Sequence, residues 1–252
     1  MHRFFIAPEL VKEMGTSCSL PKELAHQVRD VLHLNPGEQL ILLDNQGHEI
    51  LASVAASSRA GVIVQLVERQ VGQAPSPVRL VLCQGLLKSA RFEWILEKGT
   101  ELGVSTFAPI LCHRSMTGLG DAGAAKVQRW QRIVQEATEQ CGRTILPELL
   151  PIRPLAQALS EIPSGALAIM PWEAAKDHSL RDVLANAPIH TSDKGMPQTV
   201  LLFIGPEGGL TSEEATQARQ HGVQIVTLGT RILRAETAAL ASVANVMFAL
   251  EP

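Results

Sequence analysis

Two glycine-bearing loops are the segments of this sequence best suited to hold a ligand. The first, residues 205–209, directly follows an apolar run, and the second, residues 228–237, lies between another apolar run and a helical stretch. Because glycine lacks a side chain, backbone groups in such loops can approach a bound molecule closely. Neither loop matches the GxGxxG or GxxxxGK(S/T) phosphate motifs. On these residues alone, an adenosine-type ligand and a tight turn before a capped helix are both open.

The elements around the two loops predict that they share one pocket. Thr211 followed three residues later by Glu214 is a capping-box pattern, which indicates a helix that starts directly after the first loop. Each loop also follows a predicted strand. In open parallel sheets, ligands bind beyond the carboxyl ends of the strands. The sequence therefore predicts one site at one edge of a sheet.

The N-terminal part of the chain is predicted to be mostly β-structure. Its strand candidates are 3–6, 39–43, 49–54 and 62–67. One amphipathic helix, at about 22–32, interrupts them, and Asn45-Gln46-Gly47 supplies a turn. Residues 72–77, Gly-Gln-Ala-Pro-Ser-Pro, form the natural linker, so we expect one domain at 1–72 and another at 78–252.

From residue 78 the pattern changes to an alternation of strands and helices. The predicted strands are 78–83, 107–111, 167–170, 200–204 and 223–228. The predicted helices are 91–102, 124–142, 179–187, 213–221 and a nearly all-apolar final helix at about 235–250. Short apolar runs of this kind are typical of buried parallel strands. The second part is therefore predicted to be an α/β domain with a mainly parallel sheet.

Composition narrows the class of protein. The chain has 252 residues, of which 46% are hydrophobic and 19% charged, as in folded globular proteins. No apolar run is long enough to span a bilayer, and the N-terminus has no signal-peptide pattern, so we expect a cytoplasmic protein. The four cysteines are far apart and the histidines are scattered. We therefore predict reduced cysteines and no metal site.

The charge balance gives little indication of a nucleic-acid partner. The formal net charge is −3 at pH 7. Residues 77–150 are the only net-positive third, with nine Lys and Arg against seven Asp and Glu. Nucleic-acid-binding domains are usually far more basic. Composition alone would not suggest RNA.

Six segments, in order along nearly the whole chain, carry a resemblance to one family. They are MHRFF at 1–5, HLNPGEQLILLDNQGHE at 33–49, EKGTELGV at 97–104, EQCGR at 139–143, FIGPEGGLTSEE at 203–214 and LGTRILRAETA at 228–238. With them the chain resembles the 16S ribosomal RNA uridine-N3-methyltransferases of the SPOUT (trefoil-knotted) superfamily. The last two segments together are the most specific.

The resemblance implies a fold, a cofactor and partners. It implies an N-terminal PUA-like β-barrel that helps to hold RNA, and a C-terminal SPOUT-type domain with a trefoil knot. It also implies a homodimer that acts on 16S rRNA of the small ribosomal subunit, with S-adenosylmethionine bound in the knot. Uridine N3 lies on the Watson–Crick edge, so the target base must be unpaired or flipped out.

By position, the resemblance assigns the cofactor to three loops. Backbone groups would hold the adenine, and apolar side chains such as Ile204, Leu228, Ile232 and Leu233 would enclose it. The implied cofactor residues are Met170, Pro171, Trp172, Ile204, Gly205, Pro206, Glu207, Gly208, Gly209, Leu228, Gly229, Ile232, Leu233, Arg234, Thr237 and Ala238.

Three residues are candidates for the chemistry. Arg143, in the EQCGR segment after the helix-ending Gly142, would stabilise negative charge on the uracil or grip the adjacent phosphate. Glu139 is the first candidate for accepting the N3 proton, and Glu236 is the second. The alternative for Glu139 and Arg143 is a solvated helix face on which they form an i,i+4 ion pair.

Four basic residues are candidates for contact with the RNA backbone: Arg3, Lys88, Arg91 and Arg114. Each alone could equally be a solvated surface charge. Two other functions also remain open from the sequence. One is a related methyltransferase that acts on tRNA or on a ribose 2′-hydroxyl, and the other is a non-catalytic RNA-binding factor of ribosome assembly. Product nucleoside analysis would separate them.

Overall fold

A computed structural model describes residues 1–74, 76–115, 123–187 and 198–251. The chain divides into two compact units, Met1–Pro75 with Gln135–Leu146, and Ser76–Val134 with Pro147–Pro252. The first unit thus includes a segment that the sequence analysis places in the second domain. Of the predicted linker 72–77, Pro75 lies outside the described residues.

The first unit is built on a five-stranded sheet. Its strands are β1 (Arg3–Phe5), β2 (Ser17–Ser19), β3 (Gln39–Leu43), β4 (His48–Ser58) and β5 (Gly61–Val71). The order is β1-β3-β4-β5-β2, in which only the β1–β3 pair is parallel. This is an open path with β1 and β2 at its edges, and no closure into a barrel is seen among the described residues.

Alternation along the strands of the first unit produces its core. Successive side chains of a strand point to opposite faces. In β4, Ile50, Ala52 and Val54 are therefore buried together, as are Val62 and Val64 in β5. A helix, α1 (Lys22–His26), continues as a π-helical segment, Gln27–Val31, and covers this face with Leu24 and Val28. A 3₁₀ turn at Pro8–Val11 adds Val11.

The segment 135–146 belongs to the first unit through specific contacts. The Phe5 amide donates a hydrogen bond to Glu139 Oε1 at 3.0 Å, and the Leu146 amide donates to Asn45 Oδ1 at 2.8 Å. The Arg3 guanidinium lies over Gly142, whose φ of +81° ends the helix. None of these contacts has a local sequence signal, because their partners are about 100 or more positions apart.

The second unit alternates strands and helices. Its elements are β6 (Val78–Gly85), α2 (Ser89–Glu101), β7 (Thr106–Leu111), α3 (Ala124–Cys141), β8 (Glu148–Leu149), β9 (Arg153–Pro154), α4 (Leu155–Ser160), β10 (Leu167–Pro171), α5 (Leu180–Ala185), β11 (Gln198–Ile204), α6 (Ser212–Gln220), β12 (Gln224–Val226) and α7 (Ala235–Leu250). The unit division falls within α3. The sheet order is β12-β10-β11-β6-β7-β8, every pairing is parallel, and β9 also pairs with β7. The predicted α/β class with a mainly parallel sheet is confirmed.

This sheet is buried on both faces. On one face Leu82 and Leu202 belong to a core with α2, α3, α5 and α7, in which the Phe92 and Trp130 ring centroids are 4.5 Å apart. On the other face Cys83 and Phe203 pack with residues of α4 and α6. Because consecutive residues face opposite cores, the strands are continuous apolar runs, as parallel strands usually are.

The four cysteines are free, as the sequence predicted. Cys18, Cys83 and Cys112 are buried. Burial raises the pKa of the Cys83 thiol to about 12 and also raises the pKa of the Cys112 thiol, so both stay protonated at neutral pH. They therefore act as small apolar core residues. Within the described residues, no helix is both long and apolar enough to cross a membrane.

Candidate functional site: a pocket at the carboxyl edge of the parallel sheet

Three loops of the second unit surround one pocket of about 410 Å³. They follow β10, β11 and β12, which are neighbours in the sheet and end at the same edge. Parallel strands place the following loops side by side, so the predicted shared site results from strand direction. The residues that line it are Arg91, Pro171, Trp172, Glu173, Ile204, Gly205, Pro206, Glu207, Gly208, Gly209, Leu210, Thr227, Leu228, Gly229, Thr230, Arg231, Ile232, Leu233, Arg234, Ala235, Glu236 and Ala238.

The pocket brings together the residues expected to hold a cofactor, except Met170 and Thr237. Met170 is fully buried within β10, and Thr237 is exposed on the first turn of α7. Six lining residues were not named individually from the sequence. Glu173, Thr230, Arg231 and Ala235 lie inside the expected segments 170–173 and 228–237, whereas Leu210 and Thr227 each lie one position outside an expected loop.

The glycines of the first loop are required by close packing. A Cβ on Gly85, at the end of β6, would lie 2.6 Å from the Pro206 backbone nitrogen. Gly209 has a φ of +73°, and a Cβ there would lie 2.9 Å from Glu173 Oε1. The loop 205–209 thus packs closely on the end of β6. A side chain at Gly85 would force the backbone of this loop to move, whereas one at Gly209 would adopt an unfavourable φ and displace only the end of the Glu173 side chain.

Side chains from two other segments hold the carbonyl groups of this loop. Arg114 Nη1 donates a hydrogen bond to the Gly208 carbonyl oxygen at 3.1 Å. Trp172 Nε1 donates to the Leu210 carbonyl oxygen at 3.3 Å, and the Arg219 guanidinium lies over its ring, 6.0 Å from the centroid. Arg114, a predicted RNA contact, therefore has a partner inside the protein. Both contacts fix the loop before any ligand arrives.

The helix after the first loop starts with the predicted capping box. The Thr211 side chain accepts from the Glu214 amide at 3.2 Å, and Glu214 Oε2 accepts from the Thr211 amide at 2.8 Å. Glu214 Oε1 also accepts from the His113 amide at 2.7 Å. The capping box is confirmed, and it ties the start of α6 to the segment after β7.

The pocket combines apolar walls with backbone polar groups. Ile204, Leu210, Leu228 and Leu233 supply aliphatic surface, and Ile232 is 87% exposed at the rim. The loop around Gly229, which has a φ of +116°, is closed by mutual hydrogen bonds between Thr227 and Gly229. Pockets of this size with apolar walls and a few polar groups are typical of small-molecule sites. A flat heteroaromatic group fits such walls.

A cluster of three charged side chains forms one side of the pocket. Arg91 Nη1 lies 3.7 Å from Glu207 Oε1, and Arg91 Nε lies 3.8 Å from Glu236 Oε1. Glu207 Oε1 also accepts a hydrogen bond from the Lys88 amide at 3.1 Å. Two predicted RNA-binding positions, Lys88 and Arg91, are thereby placed beside the pocket. The other charged side chains in its lining are Glu173, Arg231 and Arg234.

The remaining predicted site residues, Arg3, Glu139 and Arg143, belong to the first unit. Arg3 Nε lies 3.6 Å from Glu49 Oε1. Glu139 Oε1 accepts hydrogen bonds from the Phe5 amide and from Gln135 Nε2, at 3.0 and 2.9 Å. Burial raises the pKa of Glu139, an effect only partly offset by these donors. Arg143 is half-buried and directly follows Gly142.

No three His, Cys, Asp or Glu side chains in the described part of the chain come together as a possible metal site. The ligand set of the pocket is instead backbone amides, carbonyls, carboxylates and guanidinium groups.

Comparisons with known proteins agree with this geometry. Residues 74–247 match the family described as RNA methyltransferase domain. Ribosomal RNA small subunit methyltransferase E of Bacillus subtilis is 31% identical, over 100% of this chain and 98% of its own length. The same-named protein of Synechocystis is 31% identical, over 99% of this chain and 78% of its own.

Solved structures show the same fold with the cofactor present. The Neisseria gonorrhoeae ribosomal RNA small subunit methyltransferase E, bound to S-adenosylmethionine, has a TM-score of 0.85 and 32% identity, with 98% of this chain and 97% of that chain covered. A Legionella pneumophila protein described as a methyltransferase with bound cofactor has a TM-score of 0.86 and 31% identity, with the same coverage. The chain therefore belongs to the RNA methyltransferase family that includes ribosomal RNA small subunit methyltransferase E.

Proposed function

We propose that this protein transfers a methyl group from S-adenosylmethionine to N3 of a uridine in 16S rRNA of the small ribosomal subunit. The observation that carries the proposal is the pocket formed by the loops after β10, β11 and β12, in a chain 32% identical to a protein solved with that cofactor. Relatives named for small-subunit rRNA methylation cover the full chain. The proposed methylation takes place in the cytoplasm, where ribosomal subunits assemble.

The pocket fits the proposed cofactor. Its aliphatic walls suit an adenine ring, and the glycine loops leave backbone groups available beside them. The residues that would hold the cofactor are those of the loops 171–173, 204–210 and 227–234.

The bound cofactor supplies a methyl group on a positively charged sulfur, whose C–S bond electrons remain on sulfur after transfer. The protein's own contribution is to align the two reactants and to manage charge and proton. Alignment alone can provide a large part of the rate acceleration, because it converts an encounter into a step within one complex. The hydrogen bonds from Arg114 and Trp172 to the carbonyl oxygens of Gly208 and Leu210 favour that alignment.

The first unit, Met1–Pro75 with Gln135–Leu146, is proposed to be a PUA-like β-barrel domain that helps to hold RNA. Its own core and five-stranded sheet support an independent module. Arg3 and Arg143 are proposed to contact RNA phosphates. The hydrogen bond from the Phe5 amide supports an anchoring role for Glu139. The C-terminal domain is proposed to be trefoil-knotted, as the resemblance of its last two motif segments implies.

The protein is also proposed to act as a homodimer. The final helix, α7, has no charged residue between Glu236 and its end at Leu250. Its inner side packs on the sheet through Val243 and Val246, whereas Phe248 is 90% exposed. Exposed large apolar side chains on a helix without charges are typical of protein interfaces.

The test is methyl transfer from labelled S-adenosylmethionine to small ribosomal subunits from cells that lack their own enzyme of this family, beside free rRNA and tRNA. Nucleosides from each product are then separated. The expected result is 3-methyluridine from the subunits. Label on tRNA or on a ribose would support methyltransferase activity but refute N3 of a 16S rRNA uridine as the target. Folded protein that labels no substrate would overturn the enzymatic function.

A further inference from the structure

Arg91, Glu207 and Glu236 come from three different elements and meet at the pocket wall. Arg91 projects from α2, Glu207 from the loop after β11 and Glu236 from the first turn of α7. The distances from the guanidinium nitrogens to the two carboxylates are 3.7 and 3.8 Å. The positive charge of Arg91 is thus shared between the carboxylates of Glu207 and Glu236. Sequence spacing alone would not have predicted these two ion pairs.

The two carboxylates differ in what they already bind. Glu207 Oε1 accepts a hydrogen bond from the Lys88 amide, which ties the loop after β11 to the start of α2. The side chain of Glu236 is only 14% exposed, and its Oε2 is buried. None of the described residues donates a hydrogen bond to Oε2. A buried acceptor without a donor costs free energy, so a donor on a bound molecule is expected there.

Arg91 has donors to offer at the same place. Its side chain is 43% exposed, and its contacts with the described residues are the two ion pairs at 3.7 and 3.8 Å. Both distances exceed those of good hydrogen bonds, which leaves most of its five N–H groups uncommitted. The pocket wall therefore presents an acceptor, Glu236 Oε2, beside several donors.

This arrangement complements the Watson–Crick edge of uracil. The N3–H donor of uracil lies between two carbonyl acceptors, O2 and O4. Cytosine presents an unprotonated N3 in the same position, which a carboxylate oxygen would repel. A carboxylate beside a guanidinium therefore distinguishes uracil from cytosine, because the wrong base leaves buried polar groups unpaired.

We propose that Glu236 and Arg91 together select and activate the target uracil. Oε2 of Glu236 accepts the N3 proton, while Arg91 donates a hydrogen bond to an adjacent carbonyl oxygen of the ring. This inference rests on the proposed function. It gives Arg91 a task on the base, where the sequence suggested contact with the RNA backbone, and it makes Glu236 the proton acceptor in preference to Glu139.

The proton and the electron pair of the uracil N3–H bond go to different atoms in this step. The N3–H bond breaks, its electron pair stays on N3, and the proton forms an O–H bond with Oε2. The negative charge spreads to the ring oxygens, where the Arg91 guanidinium offsets it. The N3 electron pair then forms the bond to the methyl carbon as the C–S pair stays on sulfur. After the product leaves, the Glu236 carboxyl returns its proton to water.

The test compares Glu236→Gln with Glu148→Gln, a control on an exposed β8 residue of the same unit. Gln keeps the size of the side chain but cannot accept the proton. Single-turnover methyl transfer to small subunits is expected to fall about 10²- to 10⁴-fold in E236Q, the usual contribution of a general base. Calorimetry is expected to give unchanged affinity for S-adenosylmethionine in both variants.

Two readouts separate proton transfer from a structural role. In E236Q the residual rate is expected to increase about tenfold per pH unit through the neutral range, because N3 must then ionise without help. Small subunits made with 5-fluorouracil, whose N3 is more acidic, are expected to recover most of the lost rate. A loss that neither pH nor fluorouracil relieves would overturn the proton-acceptor role.

The second variant pair is Arg91→Ala with Arg79→Ala, whose guanidinium lies 3.7 Å from Glu148 on the surface. R91A is expected to lower kcat without changing the salt dependence of RNA binding, and R79A to change neither. A smaller salt slope with normal kcat would assign Arg91 to a phosphate and overturn its part. Two outcomes would overturn the inference and leave the proposed function intact, provided that the wild-type protein is active. One is full activity in E236Q, and the other is a loss of activity in E236Q that weakened cofactor binding explains. An inactive wild type would instead refute the proposed function.

Discussion

The surroundings of Glu139 in the first unit and of Glu236 in the second give two carboxylates opposite situations. Both were candidate proton acceptors from the sequence. Glu139 Oε1 accepts hydrogen bonds from the Phe5 amide of β1 and from the Gln135 side chain of α3, so this oxygen is already used within the fold. Glu236 Oε2 is buried and receives no hydrogen bond from the described residues. Both side chains are largely buried, so burial does not distinguish the two residues. They differ in the hydrogen-bond partners of their carboxylate oxygens.

Burial alone does not identify a reactive carboxylate. A carboxylate whose donors come from its own fold contributes to stability, and its removal leaves a backbone amide without an acceptor. A carboxylate with an unused oxygen at a pocket can serve a ligand. We therefore expect changes near Glu139 to affect unfolding and changes at the pocket to affect ligand binding.

The greatest loss of cofactor affinity is expected from Gly85→Ala, with Gly123→Ala as the control. An added Cβ at Gly85 would lie 2.6 Å from the Pro206 backbone nitrogen, so the backbone of the loop 205–209 would have to move. A Cβ at Gly123 has nothing within 4 Å. The affinity for S-adenosylmethionine, measured by calorimetry, should fall at least about tenfold in G85A alone, or about 1.4 kcal/mol. Equal losses in both variants would refute the close-packing explanation.

An intermediate effect is expected from Glu139→Ala. The variant leaves the Phe5 amide without its acceptor and should lose about 1–3 kcal/mol in urea unfolding. Glu139→Gln keeps an acceptor oxygen and should lose less. The methyl transfer rate of the folded protein should stay normal in both. A well-folded E139Q with a rate reduced a hundredfold or so would instead restore Glu139 as the proton acceptor.

The smallest expected effect is a pH dependence at the same residue. Because burial raises the pKa of Glu139 above its value in the unfolded chain, the stability it contributes is fully present below the unfolded pKa and is lost as the pH rises through the folded pKa. Lowering the pH from about 7 to about 4 should therefore favour wild type over E139Q, by less than about 1 kcal/mol. Urea unfolding of both proteins at the two pH values measures it. A change in the opposite direction would mean that the hydrogen bonds outweigh burial.

Local signals in the sequence were sufficient for the longer elements and for the position of the pocket, although they missed the short β2 and α4. Apolar runs predicted the parallel strands, and Thr211 with Glu214 predicted the start of α6. The common direction of the strands then placed the loops together. Each of these predictions depends on residues within a few positions of one another, or on a general property of parallel sheets.

Contacts between distant residues could not be predicted in this way. Arg91 meets Glu207 and Glu236 from more than 100 positions away, and Arg114 reaches the Gly208 carbonyl from a loop that has no local pattern. The assignment of 135–146 to the first unit depends on Phe5 and Asn45 in the same way. The two-residue strands β8 and β9 are too short to produce any periodicity.

The strand order of the second sheet has a consequence for how the protein is made. Leu80 in β6 is paired with Val200 in β11, 120 positions later. A growing chain leaves the ribosome N-terminus first, so one edge of β6 stays unpaired until β11 has been synthesised. Sheets closed by such distant pairs fold slowly, and unpaired apolar strands aggregate. The nascent chain is therefore exposed to aggregation from the synthesis of β6, which ends at Gly85, until that of β11, which begins at Gln198. A chain that stops before β11 cannot form the centre of this sheet.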